Sequence, residues 1–148
     1  MSQESTKEIL TKYKTIAVVG LSREPEKESY EVGAYLKKHG FRIVPVNPFA
    51  DEILGEICYK SLLDMPVEAQ KTVEVVDVFR RPEDIPPIAE QAVKLKKMTG
   101  TLRVFWMQLG IVNERAAETL RKAGLTVIMD KCLMQEHKSL VKAEKRKV

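Results

Sequence analysis

A loop of small and charged residues near the amino terminus has the residue types that phosphate chemistry uses. It follows a short apolar, β-branched run, residues 16–19, which predicts a strand buried on both faces. The loop is Gly20, Leu21, Ser22 and Arg23, and a helical pattern begins near Ser29. A strand, a glycine turn and a helix aim free backbone N–H groups and the positive end of the helix at an anion. The missing Cβ of Gly20 would also let a ligand approach the backbone. The loop therefore predicts a phosphate or nucleotide site.

The pattern is not that of an NAD site. The dinucleotide fingerprint is absent, because the next glycine after Gly20 is Gly33, inside the predicted helix. NAD also requires an acidic residue about 20 residues past the glycine loop, where this chain has Pro45, Val46 and Asn47. Cations near the predicted strands instead suit a ribose phosphate or a pyrophosphate. These cations are Arg42, Arg80 and Arg81. A plain structural turn that binds nothing remains an alternative for the loop by itself.

The elements that must position these residues alternate regularly along the chain. Strands are predicted at 15–19, 41–46, 73–79, 102–108 and 125–129. Helices are predicted to begin near residues 6, 29, 86, 114 and 133, the first from a capping box of Ser5 and Glu8. Such alternation favours parallel pairing and right-handed crossovers. We predict one doubly wound α/β domain over 1–148, with a mainly parallel sheet of about five strands, an amino-terminal helix within 1–14 and a basic tail at 142–148.

Four single residues carry further expectations. Pro45 lacks an N–H and predicts a strand end or a bulge beside a site. His39 belongs to the inward stripe of the second helix, at its carboxyl end, where a structural role is favoured. Asp77 falls within or near the end of an apolar strand, and Trp106 is expected in the core. A small extra strand is predicted at 56–59.

The carboxyl ends of the predicted strands indicate where a ligand would bind. Ligands of open α/β sheets bind beyond these ends, where the strand order reverses. The residues just past the strands combine glycines, hydroxyl and amide groups, an apolar ring and several cations. They are 20–23, 46–48, 79–82, 108–111 and 130–132.

Composition narrows the class of protein. The chain has 148 residues, 44% hydrophobic and 31% charged, which is ordinary for a soluble domain. No run approaches the roughly 20 apolar residues of a membrane helix, and the polar start of the sequence predicts no signal peptide. Two cysteines favour a reducing cytoplasm. The formal charge of +4 sits largely in the tail and in Lys94, Lys96 and Lys97, which predicts a solvated surface and argues against nucleic-acid binding.

One cluster near the carboxyl terminus has residue types that enzymes use. It consists of Asp130, Cys132, Glu136 and His137. Cys132 and His137 could be a nucleophile pair or part of a metal site, but a second pair of ligands is missing and a catalytic cysteine needs a base within hydrogen-bond reach. The structural alternative, in which these residues end a strand and fix the last helix, is favoured.

Six segments together carry a resemblance to a known family. They are Val-Val-Gly-Leu-Ser (18–22), Pro-Val-Asn-Pro (45–48), Glu-Ile-Leu-Gly (52–55), Val-Asp-Val-Phe-Arg-Arg (76–81), Trp-Met-Gln-Leu-Gly-Ile (106–111) and Met-Asp-Lys-Cys-Leu-Met-Gln-Glu-His (129–137). In this order they resemble the small stand-alone CoA-binding proteins, which are similar to the N-terminal domain of the succinyl-CoA synthetase α subunit. The resemblance covers nearly the whole chain and implies a Rossmann-like domain that holds coenzyme A.

The resemblance also implies roles for individual residues. Gly20, Leu21 and Ser22 would contact phosphates, with Ser29 near the helix start, and Arg42 matches a basic residue of strand two that faces the nucleotide. The other implied positions flank the nucleotide, border the adenine or line the opposite wall. They are Pro45, Val46, Asn47, Pro48, Phe79, Arg80, Arg81, Gln108, Gly110 and Ile111. The first loop is more charged than a plain phosphate loop, with Arg23 followed by three glutamates.

The resemblance does not extend to the synthetase reaction. That reaction uses a phosphorylated histidine on a second domain, and the histidines here, His39 and His137, lie in no glycine-rich nucleophile loop. We expect a module that binds CoA or an acyl-CoA without catalysis of its own. Two alternatives stay open: an NAD(P)-type oxidoreductase or other nucleotide enzyme on the same fold, and a CoA-sensing regulatory subunit. A protein partner or a homo-oligomer is also possible.

Overall fold

The computed structural model describes residues 4–146. Its strands are β1 Thr15–Val19, β2 Arg42–Val46, β3 Glu52–Ile53, β4 Glu56–Ile57, β5 Val75–Val78, β6 Val104–Met107 and β7 Thr126–Ile128. Its α-helices are α1 Thr6–Lys12, α2 Glu28–Lys38, α3 Val67–Gln70, α4 Ile85–Thr99, α5 Glu114–Lys122 and α6 Leu133–Arg146. Two 3₁₀ turns cover Leu62–Asp64 and Pro82–Asp84.

The predicted sheet is confirmed. Five parallel strands lie in the order β2-β1-β5-β6-β7, and the structure is an α/β, Rossmann-like fold. The chain moves outward from β1 to β2, then returns to place β5 on the other side of β1. The strand order therefore reverses between β1 and β5, and the carboxyl ends of these two strands open onto the crevice where such sheets bind ligands.

Two apolar layers cover the faces of the sheet. Side chains alternate along each strand, so Val76 and Val78 face the layer of α4 and α5, whereas Val75 and Asp77 face the layer of α1, α2 and α6. Trp106 lies in the second layer, is fully buried, and donates from Nε1 to the Lys131 carbonyl at 2.8 Å. Its predicted place in the core is confirmed.

Pro45 is tolerated because β2 is the edge strand of the five-stranded sheet. The register of β1 with β2 runs without a break from the Thr15–Arg42 pair to the Val19–Val46 pair, so the predicted bulge is absent, and the strand ends one residue after Pro45. The outer side of β2 is covered by Tyr59, whose N–H donates to the Pro45 carbonyl at 3.1 Å.

One other expectation is corrected. His39 is exposed and caps α2, with Nδ1 2.7 Å from the Tyr35 carbonyl, and so does not belong to the buried stripe. The basic tail expected at 142–148 is helical as far as Arg146, because α6 continues through it; residues 147 and 148 lie outside the described part. Within residues 4–146, no helix has the length and apolar character to cross a bilayer.

Candidate functional site

Gly20 is required by the protein backbone. It has φ +86°, which favours glycine, and a Cβ placed on it would lie 2.5 Å from the Phe79 carbonyl oxygen. Its N–H donates to the Val46 carbonyl at 2.8 Å, which continues the pairing of β1 and β2. The sequence predicted that the missing Cβ of Gly20 makes room for a ligand. The turn after β5 fills that space instead, so this reason for the glycine is corrected.

The polar groups of the first loop mostly hold the loop itself. The buried Ser29 Oγ accepts from the Ser22 N–H at 2.9 Å, and Asn47 Nδ2 donates to the Leu21 carbonyl at 2.9 Å. Asn47 Oδ1 accepts from the Phe49 N–H at 2.8 Å. Leu21 is fully buried. Ser22, Ser29 and Asn47 were expected to contact a ligand directly. In the structure their hydrogen bonds hold the conformation of the loop.

The amino end of α2 directly follows this loop. Lys27 is the N-cap residue and makes no side-chain cap hydrogen bond. The first N–H groups of a helix have no partner within the helix, and they carry a partial positive charge that attracts anions. The exposed Arg23 and Lys27 add positive charge, and three exposed glutamates at 24, 26 and 28 oppose it.

Three cavities follow one another along the carboxyl edge. The Ser61 cavity, about 290 Å³, lies between the ends of β1 and β2 and the start of α4; it includes Gly20, Val46, Pro48, Ser61 and Arg80. The Asn47 cavity, about 230 Å³, lies beside the first loop and includes Ser22, Arg23 and Phe49. The Leu109 cavity, about 380 Å³, lies past β5 and β6 and includes Phe79, Arg80, Arg81, Gln108 and Ile111.

Arg80 connects these features. Its side chain lines both the Ser61 and the Leu109 cavities, and its Cδ lies 3.1 Å from the Cβ position of Gly20. The guanidinium is 3.7 Å from a carboxylate oxygen of Asp84, on the turn that leads into α4. Arg81 is more exposed and pairs with the same Asp84 at 3.2 Å and with Glu83 at 3.5 Å. Of the two arginines after β5, Arg80 is therefore the one that lies against Gly20.

A buried carboxylate supports the far wall. Asp77 is fully buried, and its Oδ1 accepts from Gln108 Nε2 at 2.7 Å, while Oδ2 has no partner within the described residues. Burial raises the pKa of Asp77 to about 7, against the opposing effect of the Gln108 hydrogen bond. The other end of the Gln108 amide, Oε1, accepts from the Leu133 N–H at 3.3 Å. Asp77 thus orients the Gln108 amide, and that amide links the wall to the start of α6.

Five of the predicted site residues line none of the three cavities, namely Leu21, Ser29, Arg42, Pro45 and Gly110. Arg42 is exposed at the amino end of β2, opposite Thr15, roughly 13 Å along the strand from the carboxyl edge. This position does not favour the contact with a nucleotide that the resemblance implies for Arg42. Pro45 is buried within β2 and lines none of the three cavities.

Several cavity residues were missed by sequence analysis. The Ser61 cavity includes Lys60, Leu62, Glu83, Asp84, Pro87, Ile88 and Gln91. Lys60 and Ser61 reach it because Tyr59 pairs with the end of β2. The strand predicted at 56–59 was the one sequence signal that could have located these residues. It did not show that this segment pairs with the end of β2.

The enzyme-like cluster separates in the structure. Asp130 has φ +59°, and its Oδ1 accepts from the Gly110 N–H at 2.7 Å, so it holds the wall of the Leu109 cavity. Cys132 is buried at the start of α6, and no hydrogen bond joins it to His137 among the residues described. His137, on α6, instead contacts α2, with Nδ1 2.7 Å from the Tyr35 hydroxyl. Within residues 4–146, no group of three or more His, Cys, Asp or Glu side chains could hold a metal ion.

His137 is expected to make stability depend on pH. Burial, and then the nearby His39 and Lys14, lower the pKa of His137, so the fold favours its neutral form. This contribution is complete above the unfolded pKa, about 6.5, and is lost as the pH falls through the lower folded value. We expect His137→Asn to lose less unfolding free energy than the parent between pH 7.5 and 5.5 in urea titrations. An equal loss in both proteins would contradict this assignment.

Comparisons with known proteins identify the family of the chain. A family model described as a CoA binding domain matches residues 14–138. The protein YneT of Bacillus subtilis is 41% identical over 136 residues, which cover 92% of this chain and 94% of YneT. A solved structure, a hypothetical protein from Pyrococcus horikoshii OT3, is 39% identical with a TM-score of 0.83, over 95% of this chain and 93% of that one.

A longer relative is matched only in part. The α subunit of the ADP-forming acetate–CoA ligase I of Pyrococcus furiosus is 30% identical over 133 residues, which cover 82% of this chain. This chain spans 28% of that subunit. Because the family model matches most of the chain and YneT is matched over nearly its whole length, this protein belongs to the CoA-binding domain family.

Proposed function

We propose that the chain binds coenzyme A, free or as an acyl thioester, along the carboxyl edge of the sheet and catalyses no reaction of its own. The observation that carries the proposal is the position of Arg80. It lies against the glycine turn of β1, faces the crevice at the strand reversal and lines two neighbouring cavities. A ligand with phosphates at its centre and different groups at either end suits this arrangement, and CoA is such a ligand.

The surroundings of Arg80 suggest where each part of CoA binds. The phosphates would lie at the first loop, within reach of the first-turn N–H groups of α2 and of the Arg80 guanidinium. The adenine would lie in the Ser61 cavity, where Val46, Leu62 and Ile88 supply apolar surface and Ser61 supplies a hydroxyl. The pantetheine arm would then extend toward the Leu109 cavity.

The cavity residues support the absence of catalysis. Among the described residues that line the three cavities there is neither a cysteine nor a histidine. Cys58 lies nearby, but it is buried, and burial raises the pKa of its thiol, which makes the nucleophilic thiolate scarcer. The module would present CoA or its thioester to another protein.

Arg80→Gln tests the proposal. Loss of a charge-assisted hydrogen bond to a phosphate costs roughly 1.5–3 kcal/mol, so we expect CoA to bind about 10–150-fold more weakly in isothermal titration calorimetry. Arg42→Gln is the matched control: it removes an exposed arginine from the opposite edge of the sheet and should leave the Kd unchanged. A loss of affinity in the Arg42 variant but not in the Arg80 variant would contradict the site.

Ligand comparisons complete the test. If Arg80 contacts the ribose phosphate, the parent should bind dephospho-CoA more weakly than CoA, and Arg80→Gln should bind both equally. If Arg80 contacts the pyrophosphate, the variant should weaken both by the same factor. Binding of NAD or NADP in preference to CoA would overturn the proposal and favour an oxidoreductase.

A further inference from the structure

The Leu109 cavity has features that binding of the CoA phosphates and adenine does not explain. Its walls are largely apolar, formed by Phe79, Pro82, Leu109 and Ile111. Leu109 is 64% exposed, at the rim of a cavity of about 380 Å³. Large exposed apolar side chains around a concave surface often mark a binding site.

The wall of this cavity is held rigidly from behind. Gln108 uses both ends of its amide inside the protein, on Asp77 and on the Leu133 N–H, so only its aliphatic part remains for the cavity. Asp130 accepts from the Gly110 N–H at 2.7 Å and donates its own N–H to the Ile111 carbonyl at 3.2 Å. Preformed walls of this kind reduce the entropy cost of ligand binding.

The charges around the cavity compensate one another. Arg80 and Arg81 line it, but both pair with Asp84, and Arg81 also pairs with Glu83. The carboxylate of Glu28 lies in the lining as well. With Arg80 assigned to a CoA phosphate, Arg81 is the other cation of the lining, and its pairs with Asp84 and Glu83, together with Glu28, leave little positive charge for a further anionic group.

We propose that the Leu109 cavity binds the acyl group of a CoA thioester, and that this acyl group is an uncharged aliphatic chain of about four to eight carbons. The inference rests on the proposed function, because the cavity adjoins the phosphate site through Arg80. Its volume exceeds what an acetyl group fills, since a methylene occupies only a small part of 380 Å³. The apolar walls favour methylene groups over the terminal carboxylate of a dicarboxylic acid.

The test measures Kd by calorimetry for CoA and for its acetyl, butyryl, hexanoyl, octanoyl and succinyl thioesters on the full chain. Each buried methylene contributes about 0.8 kcal/mol, or about fourfold in Kd. We expect affinity to rise from acetyl-CoA to hexanoyl-CoA by at least about tenfold, because part of the chain stays exposed. Succinyl-CoA should bind more weakly than butyryl-CoA, which has the same number of acyl carbons.

Two variants locate the effect. Leu109→Ser should reduce the ratio of the acetyl-CoA to the hexanoyl-CoA Kd, whereas Met98→Ser should keep the parent ratio. Met98 is a close match, since it is 62% exposed but lies on α4 and lines none of the three cavities.

The failures of the two proposals are distinguishable. If CoA binds but the thioesters all bind equally, the acyl cavity is overturned and the proposed function stands. If neither CoA nor any thioester binds, the proposed function itself is overturned. A preference for hexanoyl-CoA that Leu109→Ser leaves intact would place the acyl group elsewhere, and tighter binding of succinyl-CoA than of butyryl-CoA would exclude an uncharged chain.

Discussion

Gly20→Ala should destabilise the protein by about 2–5 kcal/mol, the largest effect of a single methyl group that we expect here. Two costs add. An alanine at φ +86° adopts the left-handed region at a cost of about 1–2 kcal/mol. Its Cβ would also lie 2.5 Å from the Phe79 carbonyl oxygen, and forcing the backbone apart costs about 1–3 kcal/mol more.

Gly40 offers a matched control for Gly20. It has φ +90°, but no heavy atom lies within 4 Å of its Cβ position among the described residues. Gly40→Ala should therefore show only the conformational cost, about 1–2 kcal/mol. Urea denaturation of both variants separates the two costs. Equal destabilisation would show that the approach of Phe79 to Gly20 does not constrain the fold.

The consequence for the site follows from the same contact. Because the turn after β5 packs against Gly20, any shift that makes room for a methyl group also moves Arg80, the next residue. We therefore expect Gly20→Ala to weaken CoA binding in protein that remains folded. Under the proposed function, the glycine acts on the ligand through the position of the arginine.

Asp77→Asn should gain about 2–3 kcal/mol of unfolding free energy relative to the parent as the pH rises from 5 to 8. Burial raises the pKa of Asp77 to about 7 in the fold, against about 3.9 in the unfolded chain. The stabilising contribution of this shift is fully present below the unfolded pKa and is lost as the pH rises through the folded value. Above pH 7 the protein therefore holds a buried charge whose Oδ2 has no partner among the described residues, and asparagine removes that charge.

The measurement is the unfolding free energy of parent and variant at pH 5, 6, 7 and 8. The amide of the Asp77→Asn variant would keep an oxygen that can accept from Gln108, so the wall of the Leu109 cavity should persist. Glu68→Gln, which removes an exposed carboxylate, is the control and should follow the parent at every pH. A variant that is less stable than the parent by the same amount at every pH would show that Asp77 does not titrate in this range.

Local sequence signals predicted most of the elements. The capping box forms as expected, with Glu8 N–H donating to Ser5 Oγ at 3.2 Å, and Asn113 caps α5 through the Ala116 N–H at 3.0 Å. The bounds of β1 are those predicted. These signals work because cap and helix residues interact within a few positions of one another, whatever the rest of the chain does.

The elements that were missed lack such signals. In the hairpin of β3 and β4, the strand predicted at 56–59 includes β4, but β3 was missed because its two residues are too few for a periodic pattern. Its turn places Leu54 at φ +54° before Gly55, and leucine is not a residue that predicts such a turn. The short helix α3 begins after Pro66 without a side-chain cap.

For the candidate site, the sequence predicted the carboxyl edge of the sheet and the types of residue that lie there. The alternation of strands and helices placed the glycine loop, the arginines after β5 and the segment 108–111 at one edge, because parallel strands carry their carboxyl ends on the same side. The side chains near that edge are the ones that a phosphate-bearing ligand requires.

Only the tertiary structure decided what each residue contacts. Asn47 binds the Leu21 carbonyl 26 positions away, and Gln108 binds Asp77 from 31 positions away. Such pairs depend on which strands become neighbours, and no local preference encodes them. The same packing places the Phe79 carbonyl against Gly20, Arg42 at the amino end of β2 and Arg80 beside Gly20. Close packing fills nearly all of the interior, so the role of a side chain is set by the distant segment that lies against it.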